Sequence, residues 1–107
     1  MYRPNDELIW IAVDLDGTLA EGIWTIENPT AKIGKPIWHN VAKCKQLVEA
    51  GFKIIIYTSR AWTDYEQIEH WLFLNGIPYS RIVCGKLLAR VYIDDRNLDI
   101  DKESWIP

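Results

Sequence analysis

Two aspartates one residue apart, Asp14 and Asp16, directly follow an apolar run that covers residues 8–13. The run has the length and composition of a strand that is buried on both faces of a sheet. Carboxylates rarely tolerate burial unless they are paired or bind a metal ion. The spacing therefore predicts a strand end at which a cation or basic side chains hold two acidic groups.

Predicted strands alternate with predicted helices along the rest of the chain. Apolar runs predict strands over residues 8–13, 52–57, 81–84 and 91–93, and helical periodicity predicts helices over 37–50 and 63–75. The spacing of Thr63 and Glu66 predicts a capping box at the start of the second helix. We therefore expect an α/β fold, a small doubly wound (Rossmann-like) three-layer sandwich with a short parallel sheet.

The connection between the last two predicted strands, residues 85–90, is short. Parallel crossovers usually need about a dozen residues or more. This connection just reaches across a small sheet and leaves no room for a helix, so the third strand is expected to be very short or absent.

Composition limits the classes of protein that this chain can belong to. Its 107 residues are enough for one domain, expected over residues 1–107 with a flap-like excursion around 19–36. A net charge of -3 disfavours a dedicated nucleic-acid binder. No apolar stretch approaches the roughly 20 residues of a membrane helix, and the first eight residues contain no secretory apolar segment. Cys44 and Cys84 match no metal spacing and are expected to be reduced thiols of a cytoplasmic protein.

Polar residues follow three of the predicted strands, and the carboxyl ends of parallel strands form the usual ligand crevice. These residues are Asp14 and Asp16 after the first, Thr58, Ser59 and Arg60 after the second, and Asp94 and Asp95 after the fourth. Four carboxylates in one crevice repel each other unless a cation neutralises them, and oxygen ligands without His or Cys suit Mg²⁺. Because Mg²⁺ keeps water and substrate phosphate as its other ligands, the pattern favours phosphate chemistry.

The residue types suggest a role for each group in such chemistry. Asp14 can attack phosphorus and form an aspartyl-phosphate, and Asp16 can act as general acid and base. Thr58 or Ser59 can donate hydrogen bonds to the phosphoryl oxygens. Lys86, in the connection before the fourth strand, can neutralise the developing charge.

The sequence resembles the haloacid dehalogenase (HAD) superfamily of phosphohydrolases from residue 9 to about residue 96. Asp14-Leu15-Asp16-Gly17-Thr18 matches the first motif of that family, Thr58 the second, Lys86 the third and Asp94-Asp95 the fourth. The resemblance implies Asp14 as nucleophile and Asp16 as acid/base. It also implies Mg²⁺ bound by the Asp14 carboxylate, the Asp16 backbone carbonyl and Asp94, with Asp95 as the other candidate ligand. Gly17, Thr58, Ser59 and Lys86 are the expected phosphate-binding residues.

Many relatives carry a cap domain that closes over the substrate, whereas this chain has room for only the excursion at 19–36. It therefore resembles capless members, including small bacterial and phage proteins with a Gly-Lys-Pro sequence before the first helix, here at residues 34–36. A second copy of the chain or a large substrate would then cover the open site, with Trp24 and Trp38 as a small flap.

Several alternatives remain open at this stage. The expected activity is hydrolysis of a phosphorylated small molecule. A nucleotide or polynucleotide end phosphatase or phosphotransferase, and a catalytically weak module that binds phosphate or a partner, are the other two. Each motif also has a plainer interpretation: Asp14 and Asp16 as a turn with a helix cap, Asp94-Asp95 as a solvated strand end, Thr58 as a strand terminus and Lys86 as a surface lysine. Structural pairing with the acidic cluster is expected of Arg60 and Arg96.

Overall fold

A computed structural model of the chain describes residues 9–107, and it is an α/β protein with a short parallel sheet. Leu8, the first residue of the predicted first strand, and the predicted absence of a secretory segment lie outside the described residues. The elements, in chain order, are β1 (Trp10–Val13), α1 (Trp38–Glu49), β2 (Lys53–Tyr57), α2 (Tyr65–Leu74) and β3 (Arg81–Val83), and a 3-10 turn, Trp62–Asp64, directly precedes α2. The predicted class is confirmed.

The sheet is three-stranded and parallel, with the spatial order β1-β2-β3. Val13 of β1 lies opposite Ile56 of β2, and Tyr57 of β2 lies opposite Val83 of β3. The carboxyl ends of all three strands therefore meet at one edge of the sheet, as the sequence predicts. The third strand is very short, in agreement with the short connection that follows it.

Burial alternates along the strands instead of covering both faces. Ile54 and Ile56 are fully buried, whereas Lys53 and Tyr57 at the ends of β2 are exposed. In β1, Val13 is buried but Ala12 is exposed, so the predicted burial of this strand on both faces is wrong. One face of the sheet carries the hydrophobic core.

Helix α1 forms where periodicity and a glycine stop predict it. Val41, Cys44 and Leu47 are buried on one face, at the three-residue spacing that brings side chains to the same side of a helix. Val48, which was expected on that face, is largely exposed. Gly51 adopts a φ of 96°, a backbone conformation that favours glycine, and so ends the helix.

Helix α2 buries Ile68 and Leu72, four residues apart, against the same core. The predicted capping box is wrong, because Thr63 lies within the 3-10 turn and no side chain caps the start of α2. The N-cap of α2 is Asp64, so Thr63 lies one residue before the N-cap and Glu66 is the second residue of the helix. Neither residue occupies the position that a capping box requires.

The predicted fourth strand is wrong: within residues 9–107 no strand forms after β3. Val91 is 64% exposed and Ile93 is 95% exposed. The segment folds on itself, since the hydroxyl of Tyr92 donates to the carbonyl of Leu87 and accepts from the amide of Ala89. The outer edge of β1, where a second winding of the sheet would begin, has no strand beside it among the described residues.

The excursion at residues 19–36 is irregular, as predicted, but its two ends are tied together. The amide of Glu21 donates to the carbonyl of Lys35, and the amide of Ile37 donates to the carbonyl of Leu19, each at 2.7 Å. The indole of Trp71 in α2 donates to the carbonyl of Gly34 at 3.0 Å. These bonds fix the base of the excursion on the body of the protein.

The buried hydrophobic residues form one cluster that includes both cysteines, which are free thiols. Cys44 and Cys84 are therefore core residues, one of the two placements expected from the sequence. No helix within residues 9–107 is long and apolar enough to cross a bilayer.

Candidate functional site

The end of β1 presents Asp14 and Asp16 on either side of a fully buried leucine. Leu15 is anchored in the core, and its carbonyl accepts from the amides of Leu19 and Ala20. Gly17 has a φ of 80°, which only glycine adopts without strain, and its amide closes the turn onto the carbonyl of Ala20 at 2.8 Å. The chain thus turns immediately after the two aspartates and leaves both at the sheet edge.

Asp14 sits in a partly dehydrated environment next to a cation. Burial raises the pKa of Asp14 above its ordinary value of 3.8. Lys86 and the hydrogen bond from the amide of Leu15, at 2.8 Å, lower that pKa, and the charge of Asp16 raises it. Burial is the largest of these effects, so the ionised carboxylate gains from any further positive charge beside it.

Asp14, Thr18 and Lys86 line one cavity of about 730 Å³. The outer edge of β1 forms one wall of this cavity, and residues from 96 to 107 contribute to the other. The cavity therefore extends from the predicted nucleophile along the outer edge of β1, and it is large enough for a small phosphorylated molecule.

Backbone hydrogen bonds bring the connection after β3 to the end of β2. The amide of Thr58 donates to the carbonyl of Val83 at 3.0 Å, and the amide of Lys86 donates to the carbonyl of Thr58 at 2.9 Å. Thr58 is buried, and its hydroxyl oxygen accepts from the amide of Arg60 at 3.1 Å. Lys86 is in this way carried from a position distant in sequence to the neighbourhood of Asp14.

The ammonium group of Lys86 lies over two aromatic rings. Its Nζ is 5.2 Å from the centroid of the Tyr57 ring and 4.8 Å from that of Tyr92. Such cation–π contacts hold a lysine without neutralising it. Sequence reasoning did not assign Tyr57 or Tyr92 a role, although Tyr57 is the last residue of a predicted strand and thus next to Thr58.

Asp16 is held by a buried arginine. The Nε of Arg60 donates to Oδ2 of Asp16 at 2.9 Å, and its Nη2 donates to Oδ1 at 2.8 Å. The side chains are 1% and 10% exposed, respectively. The expected structural pairing of Arg60 with the acidic cluster is confirmed, but its further bond to the excursion was not anticipated: Nη1 donates to the carbonyl of Ala31 at 2.6 Å.

Asp94 and Asp95 lie in the exposed segment after β3, and neither lines the cavity beside Asp14. Asp94 accepts from the amide of Arg96 at 2.7 Å, and Asp95 is 3.9 Å from the Arg96 side chain. Both aspartates are exposed. Within residues 9–107 there is no group of three or more His, Cys, Asp or Glu side chains placed to hold a metal ion. The structure thus gathers Asp14, Asp16, Thr58 and Lys86, and the contributions of Asp94 and Asp95 stay predictions.

No protein-family model and no curated protein matches this sequence. The crystal structure of a target protein from Vibrio cholerae is similar over 92% of this chain and 89% of that protein, with 26% identity and a TM-score of 0.69. A conserved protein from Bacteroides thetaiotaomicron is similar over 83% of this chain and 77% of that protein, with 26% identity and a TM-score of 0.57. Both similarities support the α/β architecture, and neither description states an activity.

Proposed function

We propose that this protein is a HAD-like, Mg²⁺-dependent phosphomonoester hydrolase that works through a phospho-aspartate on Asp14. One observation carries the proposal: Asp14 and Lys86 line the same cavity at the carboxyl ends of the parallel strands. A nucleophilic aspartate has to stand beside a positive charge, because the cation attracts the negatively charged phosphate to the attacking carboxylate. Lys86 supplies that charge beside the partly buried Asp14.

The proposed reaction has two steps, and it uses Asp14 as the nucleophile and Asp16 as the general acid and base. A carboxylate oxygen of Asp14 attacks phosphorus, the bond from phosphorus to the ester oxygen breaks, and Asp16 gives its proton to the departing oxygen. Asp16 then takes a proton from water, which attacks the phospho-aspartate and releases inorganic phosphate. Lys86 stabilises the negative charge, while Gly17, Thr58 and Ser59 are the proposed donors to the phosphoryl oxygens.

The acidic oxygens at the end of β1 suit Mg²⁺ in type but do not complete a site. The Asp14 carboxylate and the Asp16 backbone carbonyl are the proposed ligands on β1, and Asp94 or Asp95 is the third. When bound, Mg²⁺ neutralises the phosphate charge. Because no group of three or more His, Cys, Asp or Glu side chains within residues 9–107 is placed to hold a metal ion, the proposal requires Asp94 or Asp95 to move into reach of Asp14.

A second candidate function is a phosphate- or partner-binding module with little turnover. It is favoured by the placement of the acidic side chains: within residues 9–107 no group of three or more His, Cys, Asp or Glu side chains is placed to hold the metal ion that the hydrolase needs. A polynucleotide substrate is the weaker alternative, because the net charge of -3 disfavours it. No described contact supports a second copy of the chain as the cover of the site. A phosphorylated small molecule in the cytoplasm is the proposed substrate.

The test is phosphate release from 4-nitrophenyl phosphate, with Mg²⁺ and with a chelator. We expect release that depends on Mg²⁺ and is lost in Asp14→Asn, whereas Asp101→Asn, an exposed aspartate in the C-terminal segment, retains it. Absence of release from this compound and from a panel of phosphorylated metabolites would exclude the hydrolase and favour the binding module. Binding of inorganic phosphate, measured by calorimetry, would then identify that module.

A further inference from the structure

Arg60 is the largest fully buried side chain of the described residues, and each of its three guanidinium nitrogens has a partner. Burying an arginine is costly unless its charge is paired and its donors are satisfied. Two of the nitrogens meet the carboxylate of Asp16, in the bidentate geometry that fixes the plane of both groups. The third nitrogen meets the carbonyl of Ala31 in the excursion.

The backbone of Arg60 is fixed as firmly as its side chain. Its amide donates to the hydroxyl of Thr58 at 3.1 Å, and its carbonyl accepts from the amide of Gly85 at 2.8 Å. Backbone hydrogen bonds therefore fix the main chain of Arg60 between the end of β2 and the connection that contains Lys86. A rigid donor of this kind defines the orientation of the group that accepts from it.

The bidentate contact leaves acceptor positions on Asp16 unoccupied. Each carboxylate oxygen has two acceptor positions, and Arg60 uses one on each oxygen. The remaining positions can hold the proton that Asp16 donates and later receives. Arg60 thus limits the directions in which Asp16 can transfer a proton, but it does not occupy all of the acceptor positions of the carboxylate.

We propose that Arg60 is a positioning residue that orients Asp16 for proton transfer and, through the carbonyl of Ala31, fixes the excursion beside it. This inference rests on the proposed function for its catalytic part. The contact with Ala31 is a statement about the structure alone and does not depend on turnover. The two parts therefore have separate tests.

The catalytic test compares two aryl phosphates that differ only in a para nitro group, 4-nitrophenyl phosphate and phenyl phosphate. The 4-nitrophenolate ion leaves without a proton, whereas phenolate is more basic and gains from one. General acid catalysis contributes about 10²- to 10⁴-fold where a proton is needed, so in Arg60→Met we expect kcat/KM for phenyl phosphate to fall at least about 10-fold further than for 4-nitrophenyl phosphate. Arg81→Met, an exposed arginine at the start of β3, should leave both values unchanged.

A purely structural arginine would give a different result, because a damaged fold lowers both rates by the same factor. Equal losses for the two substrates, or no loss, would overturn the catalytic part. In an Asp16→Asn background, Arg60→Met should not change the ratio of the two rates further, since its effect acts through Asp16. If Arg60→Met does not fold, Arg60→Lys replaces it, because lysine keeps the charge but cannot form the two parallel hydrogen bonds.

The structural test measures hydrogen–deuterium exchange of residues 21–33 without substrate. The amides of this segment should exchange faster in Arg60→Met than in the wild type, whereas their exchange rates in Arg81→Met should equal those of the wild type. Unchanged exchange in Arg60→Met would overturn the contact with the excursion. If the wild type hydrolyses neither phosphate ester, the catalytic part falls together with the proposed function, while the exchange result still decides the contact with Ala31.

Discussion

Gly34 lies against the backbone of Glu21, so close that a Cβ on Gly34 would be 2.2 Å from the Glu21 carbonyl oxygen. No real Cβ makes such a contact, and the obstructing atom belongs to the backbone, which cannot rotate away. The same stretch of chain carries the hydrogen bond from the Glu21 amide to Lys35. The base of the excursion therefore closes only because residue 34 has no side chain.

The first prediction is that Gly34→Ala destabilises the protein by about 1–3 kcal/mol, the usual cost of forcing an extra methyl group into a packed site. Gly51→Ala serves as a comparison for backbone strain without a steric clash, because its Cβ would meet nothing within 4 Å and only its φ of 96° is strained. That backbone strain costs about 1–2 kcal/mol. Urea unfolding of both variants measures the difference, and a Gly34→Ala protein as stable as the wild type would contradict the close approach.

The second prediction concerns the charge of Asp14. Since burial raises its pKa above 3.8 in the folded protein, ionising Asp14 costs stability as the pH rises through that folded pKa. Asparagine cannot ionise, so Asp14→Asn should be more stable than the wild type at about pH 7. The difference should shrink as the pH is lowered from about 7 and vanish below 3.8, the ordinary pKa, where the aspartate is protonated in both the folded and the unfolded state. Denaturant unfolding at several pH values, in the presence of a chelator, measures this difference in stability. An Asp14→Asn protein that is less stable than the wild type at neutral pH would contradict a raised pKa of Asp14.

The third prediction follows from the exposed position of Asp94. If Mg²⁺ binds between Asp14 and Asp94, millimolar Mg²⁺ should raise the melting temperature, because the ion binds only the folded form. It should also slow deuterium exchange in residues 91–93, since that segment has to approach β1. Asp94→Asn should lose both effects, and its neighbour Asp95→Asn, equally exposed, should retain them. The reverse result would make Asp95 the ligand, and no effect in the wild type would remove the metal from the proposal.

The fourth prediction concerns the two thiols. Burial raises the pKa of Cys44 to about 12, and it also raises the pKa of Cys84. Both cysteines are therefore protonated and inaccessible at neutral pH, and only thiolates react quickly with a disulfide reagent. We expect slow labelling of the native protein and rapid labelling of two thiols after unfolding. Rapid labelling of one thiol in the native protein would indicate that its region opens readily.

The strands and helices were predictable because the signals for them are local. The periodicity of residues 37–50 and the glycine that follows describe α1 without reference to the rest of the chain, and the apolar run at 52–57 does the same for β2. The class of fold follows from the order of these elements. The residue types at the strand ends likewise predicted candidates for phosphate chemistry, above all Asp14 and Asp16.

The sequence by itself thus determined the parallel α/β sheet and the presence of Asp14, Asp16 and Thr58 at its carboxyl edge, since both depend on neighbours in the chain. Only the tertiary structure decided that residues 91–93 do not pair with β1 and that Arg60 joins Asp16 to Ala31. The same pattern of apolar residues can form a strand or an exposed segment, and an arginine can reach several acceptors. The outcome depends on contacts between residues tens of positions apart, whose free energies compete across the whole fold and leave no trace in a short stretch of sequence.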